Sequence, residues 1–247
     1  VITTHRLLIK TVALVLLLSE SCPVFANDEY DAERRALWSA VDFQISRLRD
    51  EVGFSRLSPN IREALQKVPR HRFVPDDQVA HAYENRPLPI GFGQTISQPL
   101  MVAVMTELLG VCAGDRVFEL GTGSGYQAAV LDQVGAQVYS VEIVPELGAR
   151  ARNTLHELGH TAIQTRVGDG YFGWPEAAPF DAIIVTAASD HVPPPLLKQL
   201  KPGGRMLIPV GSRYLTQKLV MITRDSDGTV TSQELMPVTF VPLTGER

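Results

Sequence analysis

The segment Val117-Phe118-Glu119-Leu120-Gly121-Thr122-Gly123-Ser124-Gly125 constrains this chain more than any other. An apolar run reads as a buried parallel strand, and the glycines after it let the backbone turn sharply and come close to a ligand. A helix starting near Tyr126 would point its free N–H groups and the positive end of its dipole at an anionic group. Spacing then narrows the choice. A dinucleotide-binding loop needs its third glycine one position later, where Tyr126 stands, so the pattern here is Glu-x-Gly-x-Gly-x-Gly.

From Arg116 onward strands and helices alternate. Apolar runs at 117–120, 138–141, 163–167, 182–185 and 205–210 predict five strands, and helical patterns intervene at 127–133, 145–158 and 195–200. That alternation predicts an α/β fold with a doubly wound, mostly parallel sheet and helices on both faces. Segments 219–222 and 230–236, joined through Asp225-Ser226-Asp227-Gly228, predict a C-terminal antiparallel hairpin. An N-terminal helical extension precedes the sheet. Trp38, Val41, Ile45 and Leu48 recur at spacings of three and four within 28–50, and Ile61, Leu65 and Val68 follow the helix start Ser58-Pro59. Residues 70–99 are proline-rich and irregular, and a loop that long in a compact domain is usually functional. It runs into a helix over 100–109, for which Ser97 is the expected N-cap.

Ligands of open α/β sheets bind beyond the carboxyl ends of the strands. The first such end carries the glycine loop, which resembles motif I of class I S-adenosylmethionine (SAM) methyltransferases. The second ends in Glu142, 21 residues past Gly121, where a carboxylate can accept hydrogen bonds from both hydroxyls of a ribose. Its plainer reading is a solvated strand-end glutamate. The third runs into Gly168-Asp169-Gly170, where a carboxylate can take an adenine amino group and the glycines keep the wall thin; an ordinary Asp-Gly turn is the alternative. The fourth ends in Thr186-Ala187-Ala188-Ser189. It has neither the Asp/Asn-Pro-Pro-Tyr-type motif of enzymes that methylate amide or base nitrogens nor the Pro-Cys pair of C5-cytosine enzymes. A carboxylate acceptor fits such a site, because it is already ionised near neutral pH and has only to be positioned and dehydrated.

The chain resembles the protein-L-isoaspartate O-methyltransferase family. The words that carry the resemblance are Pro69-Arg70-His71-Arg72-Phe73-Val74-Pro75, Pro87-Leu88-Pro89-Ile90-Gly91, Gly93-Gln94-Thr95-Ile96-Ser97-Gln98-Pro99, the glycine loop through Gln127, Gly168-Asp169-Gly170, 179–188 and Val241-Pro242-Leu243-Thr244. They run in the family's order from Ser58 to Gly245, and the Thr-Ile-Ser-x-Pro word is nearly private to it. The resemblance implies a Rossmann-like fold, SAM as cofactor, and methylation of the free carboxyl of L-isoaspartyl residues in damaged proteins and peptides. It implies Ser97 as the catalytic residue. Cofactor contacts are implied at Gly121, Gly123, Glu142, Asp169 and Gly170, with Thr95 and Thr244 beside them and Glu119 and Gly125 completing the loop. Ser189 stands where the family usually has proline. On this reading 27–247 is a single methyltransferase domain, with N-terminal helices and substrate loop in 27–110 and the cofactor-binding core in 111–247. A monomer is expected. A net charge of −4 with no basic run argues against a nucleic-acid partner.

Other readings compete at single points. Ser97 could simply cap its helix. A binding protein for SAM or isoaspartyl peptide, without turnover, would keep the same residues. His156-Glu157-Leu158-Gly159-His160 satisfies the zinc-protease word His-Glu-x-x-His, but Gly159 reads as a helix end that would leave His160 off the helical face, so no metal site is expected. Finally, His5, Arg6 and Lys10, the apolar run 11–18 and small residues at Val24 and Ala26 have the layout of a secretory signal cleaved after Ala26, too short to span a bilayer comfortably. Cys22 would leave with it, and Cys112 would then have no partner. Export conflicts with a cofactor made in the cytosol. The cofactor favours a cytoplasmic enzyme with no stable membrane association, and a periplasmic one is the alternative.

Overall fold

The structure, a computed structural model, describes residues 29–212 and 216–245; the signal-like segment 1–26 lies outside them. Helix α1 (Asp31–Arg47) buries Trp38, Val41 and Ile45 of the expected face, with Leu37 beside them, while Leu48 falls at its C-cap and is only partly buried. A single turn, α2 (Arg49–Val52), ends on the left-handed Gly53. Helix α3 (Pro59–Lys67) starts as expected, with Ser58 at the N-cap and Pro59 in the first turn. The Ser58 hydroxyl does not bond its own helix, however. It donates to Glu107 Oε1 at 2.6 Å while its N–H donates to Oε2 at 2.7 Å, which ties α3 to the next helix.

Residues 70–99 are more regular than their composition predicts. Two 3₁₀ turns, Arg70–Phe73 and Asp76–His81, lead into a small hairpin of β1 (Leu88–Gly91) and β2 (Gln94–Ile96). Strands this short, with Pro89 inside one of them, leave no periodicity to read; the proline is tolerated because a two-stranded ribbon has only edges. Helix α4 (Pro99–Leu109) then runs to the left-handed Gly110.

The main sheet holds β3 (Arg116–Leu120), β4 (Gln137–Glu142), β5 (Gln164–Val167), β6 (Phe180–Val185), β7 (Leu200–Val210), β8 (Gln217–Arg224) and β9 (Val230–Val238), in the order β5-β4-β3-β6-β7-β8-β9. Pairs from β5 to β7 are parallel, and β7-β8 and β8-β9 are antiparallel. Helices α5 (Tyr126–Val134), α6 (Pro145–Glu157) and α7 (Pro194–Gln199) make the crossovers. The expected strands and terminal hairpin are thus present. Strand β7 alone differs notably from the expected 205–210, because it starts at Leu200, which pairs with Phe180 ahead of a register shift.

One sheet face, with Val117, Val138, Ile184 and Leu207, packs in a core shared with α1 and α3–α6. The other, with Phe118, Val141, Ile183, Met206 and Ile208, packs against α7 and the segment before β6. The chain leaves β3 toward β4 on one side and returns to β6 on the other, which opens a crevice beyond the carboxyl ends of β3 and β6. No helix among the described residues is long and apolar enough to cross a membrane.

Trp38 on α1 is 1% exposed and lies in the same core as the sheet. Trp38→Ala should therefore cost about 3–5 kcal/mol in unfolding free energy. A denaturant midpoint unchanged by that substitution would show that α1 is an appendage to the core.

Candidate active site

Backbone groups of the glycine loop are tied down before any ligand is considered. The N–H groups of Gly121 and Thr122 both donate to Val141 O, at 2.9 and 3.2 Å, so the loop hangs from the end of β4. Across the crevice Thr186 donates its N–H to Leu120 O at 3.0 Å and its hydroxyl to Gly121 O at 2.8 Å. A Cβ on Gly121 (φ +98°) would lie 2.5 Å from Thr186 Oγ1, so only glycine fits between the two strand ends. Gly170 answers to a similar limit, since its Cβ would sit 2.6 Å from Leu120 Cγ.

Three carboxyl groups surround the loop in different environments. Glu142, 5% exposed, accepts from Gly123 N at 2.7 Å and Val144 N at 2.9 Å, so it braces the loop whose ligand it is expected to share. Asp169 accepts from Tyr171 N at 2.9 Å through Oδ1, while its buried Oδ2 has no partner. Glu119 is fully buried in β3 beside Ser140 of β4, which donates to its Oε2 at 2.5 Å and sits 2.6 Å from the Thr122 hydroxyl. Its Oε1 has no partner. Burial pushes the Glu119 carboxyl up to about 8, outweighing the Ser140 hydrogen bond, and the nearby Glu142 adds to the rise.

Thr95, Ser97, Glu119, Gly121, Gly123, Glu142, Gly170 and Thr244 all line one cleft of about 740 Å³, counted out to its open mouth. Two expected residues stand back from it. Gly125 is the left-handed N-cap of α5, where a Cβ would press on Leu155 at 3.2 Å. Asp169 is covered by the chain end, since a Cβ on Gly245 would come within 2.4 Å of its free oxygen. That end is a strap held beside β6, with Ala188 N donating to Val241 O at 2.8 Å and Leu243 N to Ala188 O at 2.7 Å. Wall residues that sequence reasoning did not single out include Thr186, Gln127 and Leu243. Thr186 was legible as a strand end, and Leu243 belongs to the Val241–Thr244 word that carries the resemblance, but it reaches the cleft only through the strap.

A second, wider cavity of about 1520 Å³ adjoins the first and shares Thr95, Ser97, Thr186 and Val241 with it. Ser97 is half-buried on that common wall. Its carbonyl accepts from Arg70 Nη2 at 2.8 Å, and its hydroxyl bonds no other described residue. The expectation that Ser97 caps α4 is corrected: the N-cap is Gln98, with no side-chain cap bond. Arg70 is fully buried and lies over the Tyr126 ring at 5.0 Å; burial lowers its guanidinium to about 10, so it stays charged at neutral pH. Ser189, where the family usually has proline, donates its N–H to Pro209 O at 3.0 Å, a bond a proline could not make.

The zinc-protease word does not assemble. Helix α6 stops at Glu157, Gly159 is left-handed at φ +84°, and His160 turns to Asp132 at 2.6 Å. Among the described residues no cluster of His, Cys, Asp and Glu could hold a metal ion.

A doubly wound sheet with a glycine loop and a strand-end glutamate at its switch point is the fold of a class I SAM-dependent methyltransferase. Comparison with known proteins gives the family within that class. The sequence profile described as protein-L-isoaspartate(D-aspartate) O-methyltransferase matches residues 45–247, and the chain belongs to that family. A protein-L-isoaspartate O-methyltransferase 1 of Cupriavidus necator is 49% identical over 242 residues, covering 98% of this chain and 93% of the relative. A protein-L-isoaspartate O-methyltransferase 2 of a Polaromonas species is 55% identical over 199 residues, covering 81% and 94%. Among solved structures, a protein-L-isoaspartate O-methyltransferase superposes with a TM-score of 0.75 at 29% identity, over 86% of this chain and 66% of that one. A putative protein-L-isoaspartate O-methyltransferase of Plasmodium falciparum, solved with S-adenosyl-L-homocysteine, has the same fold at a TM-score of 0.71 and 22% identity, over 88% of this chain and 99% of that one.

Folding takes up a proton on Glu119 between the ordinary value of 4.5 and about 8, so its contribution to stability declines as pH rises through that window and levels off above it. Glu119→Gln removes this titration. The difference in unfolding free energy between variant and parent should move in the variant's favour from about pH 5 to about pH 8. A pH-independent difference in urea unfolding would mean that Glu119 titrates as an ordinary carboxyl.

Proposed function

We infer that this protein transfers a methyl group from SAM to the free carboxyl of L-isoaspartyl residues in damaged proteins and peptides. The observation that carries the reading is the place of Ser97: its unbonded hydroxyl lies on the wall common to the glycine-loop cleft and the wider cavity. SAM supplies the methyl group from a positively charged sulfonium. The acceptor carboxylate needs no proton removed. Ser97 accordingly acts by donating a hydrogen bond to one carboxylate oxygen and leaving the other to attack, with no covalent intermediate on the protein. Once esterified, the carboxyl carbon carries a methoxy group that can leave, so the following backbone nitrogen can attack it, lose its proton and expel methanol to close a succinimide, which water reopens partly to ordinary aspartate.

In the same proposal the cofactor lies in the first cleft. Gly121 and Gly123 let the backbone approach it, and Glu142 accepts from its ribose hydroxyls. Thr95, Gly170 and Thr244 form walls, and Gly125 sets the turn into α5. Glu119 supports the fit through a buried carboxyl with an unpartnered oxygen, suited to a cationic ligand. Asp169 offers a free acceptor for an adenine amino group, but Gly245 covers it, so this contact requires the chain end to shift. The proposal takes the working form as a monomer with no stable membrane association.

We place the enzyme in the cytoplasm, where its cofactor is made. Export is the second reading, favoured by the signal-like layout of the first 26 residues. N-terminal sequencing of native protein from fractionated cells decides; a periplasmic chain starting at Asn27 would overturn the first.

The activity itself is tested with paired peptides that differ only in an L-isoaspartyl or L-aspartyl link. Methyl transfer should be confined to the former. Equal labelling of both would refute the repair assignment, and binding without labelling would make the protein a reader. Because Ser97 is not the α4 cap, Ser97→Ala should lose most turnover with the melting temperature and SAM affinity nearly unchanged. A lowered melting temperature with normal kcat would reduce the serine to a structural role.

A further inference from the structure

Helix α4 starts in an unusual way. Pro99, its first residue, has no N–H, and the N–H groups of Met101 and Val102 donate to Gln98 O at 2.9 and 3.1 Å. Leu100 N–H is therefore the donor left over in the first turn. A serine or asparagine just before a helix ordinarily accepts such a donor. Here the acceptor comes from 15 residues upstream: Asn85 Oδ1 takes Leu100 N–H at 3.0 Å.

Asn85 is itself held at two further points. Its Nδ2 donates to Gln44 Oε1 on α1 at 2.7 Å, and its carbonyl accepts from Gln98 Nε2 at 2.9 Å. The other side of the same turn is held by Arg70, which donates from Nη2 to Ser97 O at 2.8 Å and from Nε to Ala82 O at 2.9 Å. Residues 97–100 are thus fixed through backbone groups and the Gln98 amide, while the Ser97 hydroxyl takes no part.

We propose that Asn85 is a positioning residue for Ser97: by capping α4 from outside, it relieves the serine of that duty and leaves its hydroxyl free for the acceptor carboxylate. Without Asn85, Leu100 N–H needs another acceptor, and the Ser97 hydroxyl stands three residues before it, at the spacing of a serine cap; a hydroxyl turned back into the helix no longer faces the substrate cavity. Gln44 extends the arrangement to α1, one residue before the part of the chain that the family profile matches. The N-terminal helix thereby reaches the reaction centre through two side chains. This inference rests on the proposed role of Ser97.

A kinetic cycle separates positioning from mere capping. In otherwise native protein, Asn85→Ala should lower kcat roughly tenfold to a hundredfold, the scale of a misplaced reacting group, with SAM affinity unchanged. In a Ser97→Ala background the same substitution should change kcat no further. Asn85→Asp keeps an acceptor for Leu100 N–H and adds a charge favoured at a helix N-terminus, so it should restore most of the rate. If Asn85→Ala does not fold, Gln44→Ala loosens Asn85 from an exposed helix face; its smaller loss of kcat should likewise vanish in the Ser97→Ala background. Equal losses in both backgrounds, or a lower melting temperature with unchanged kcat, would overturn the proposal and leave Asn85 as a structural cap. Unchanged kcat in Ser97→Ala alone would instead remove the role of Ser97, and the positioning claim with it, before Asn85 is altered.

Discussion

The ends of β3 and β6 meet at a separation that admits no side chain. Gly121 lies where a Cβ would stand 2.5 Å from the Thr186 hydroxyl, and that hydroxyl is bonded to the carbonyl of Gly121 itself. Most of the site depends on this contact. It sets where the loop leaves β3, so the N–H groups of Gly121 and Thr122 fall on Val141 O and that of Gly123 on Glu142. The loop is consequently organised by protein groups alone. A preorganised loop loses little freedom on binding, which lowers the entropic cost of taking up a cofactor.

Desolvation acts on the acidic residues around the loop in unequal measure. Glu119 receives one hydroxyl hydrogen bond at a fully buried position, and burial wins, so its carboxyl is largely neutral at pH 7. Glu142 instead accepts from two backbone N–H groups, those of Gly123 and Val144. Neighbouring carboxyls on adjacent strands thus present different faces to one cleft. A single buried charge of either sign would be costly here, and a cationic ligand relieves that cost from the cleft side.

On the substrate side, irregular chain is stabilised by reach rather than by periodicity. Residues 70–99 gather around Arg70, whose buried guanidinium bonds the carbonyls of Ala82 and Ser97 and covers the Tyr126 ring at the start of α5. Arg34 on α1 adds a bond to Tyr83 Oη at 3.2 Å, and His71 Nδ1 meets the same oxygen at 2.9 Å. Helix α1 is therefore more than an extension of the core. It braces the segment that carries Ser97, while the sheet carries the glycine-loop cleft.

Local rules made most of the sheet legible in advance. Buried parallel strands are continuous apolar runs, and 117–120, 138–141 and 182–185 each lie within an observed strand; glycine loop and strand-end acids then fall where the ends of strands must be. Contacts between distant segments were not legible. The β1–β2 hairpin is too short to show a period, the strap from Val241 to Gly245 reaches the cleft only through pairing with Ala188, and the shielding of Asp169 by Gly245 follows from that path. Ser97 shows the division most plainly. By itself the sequence determined that a serine precedes a proline-started helix, and both a cap and a catalytic group satisfy that pattern. Only the tertiary structure decided against the cap, because the acceptor for Leu100 N–H arrives from Asn85, a residue brought there by the packing of another segment.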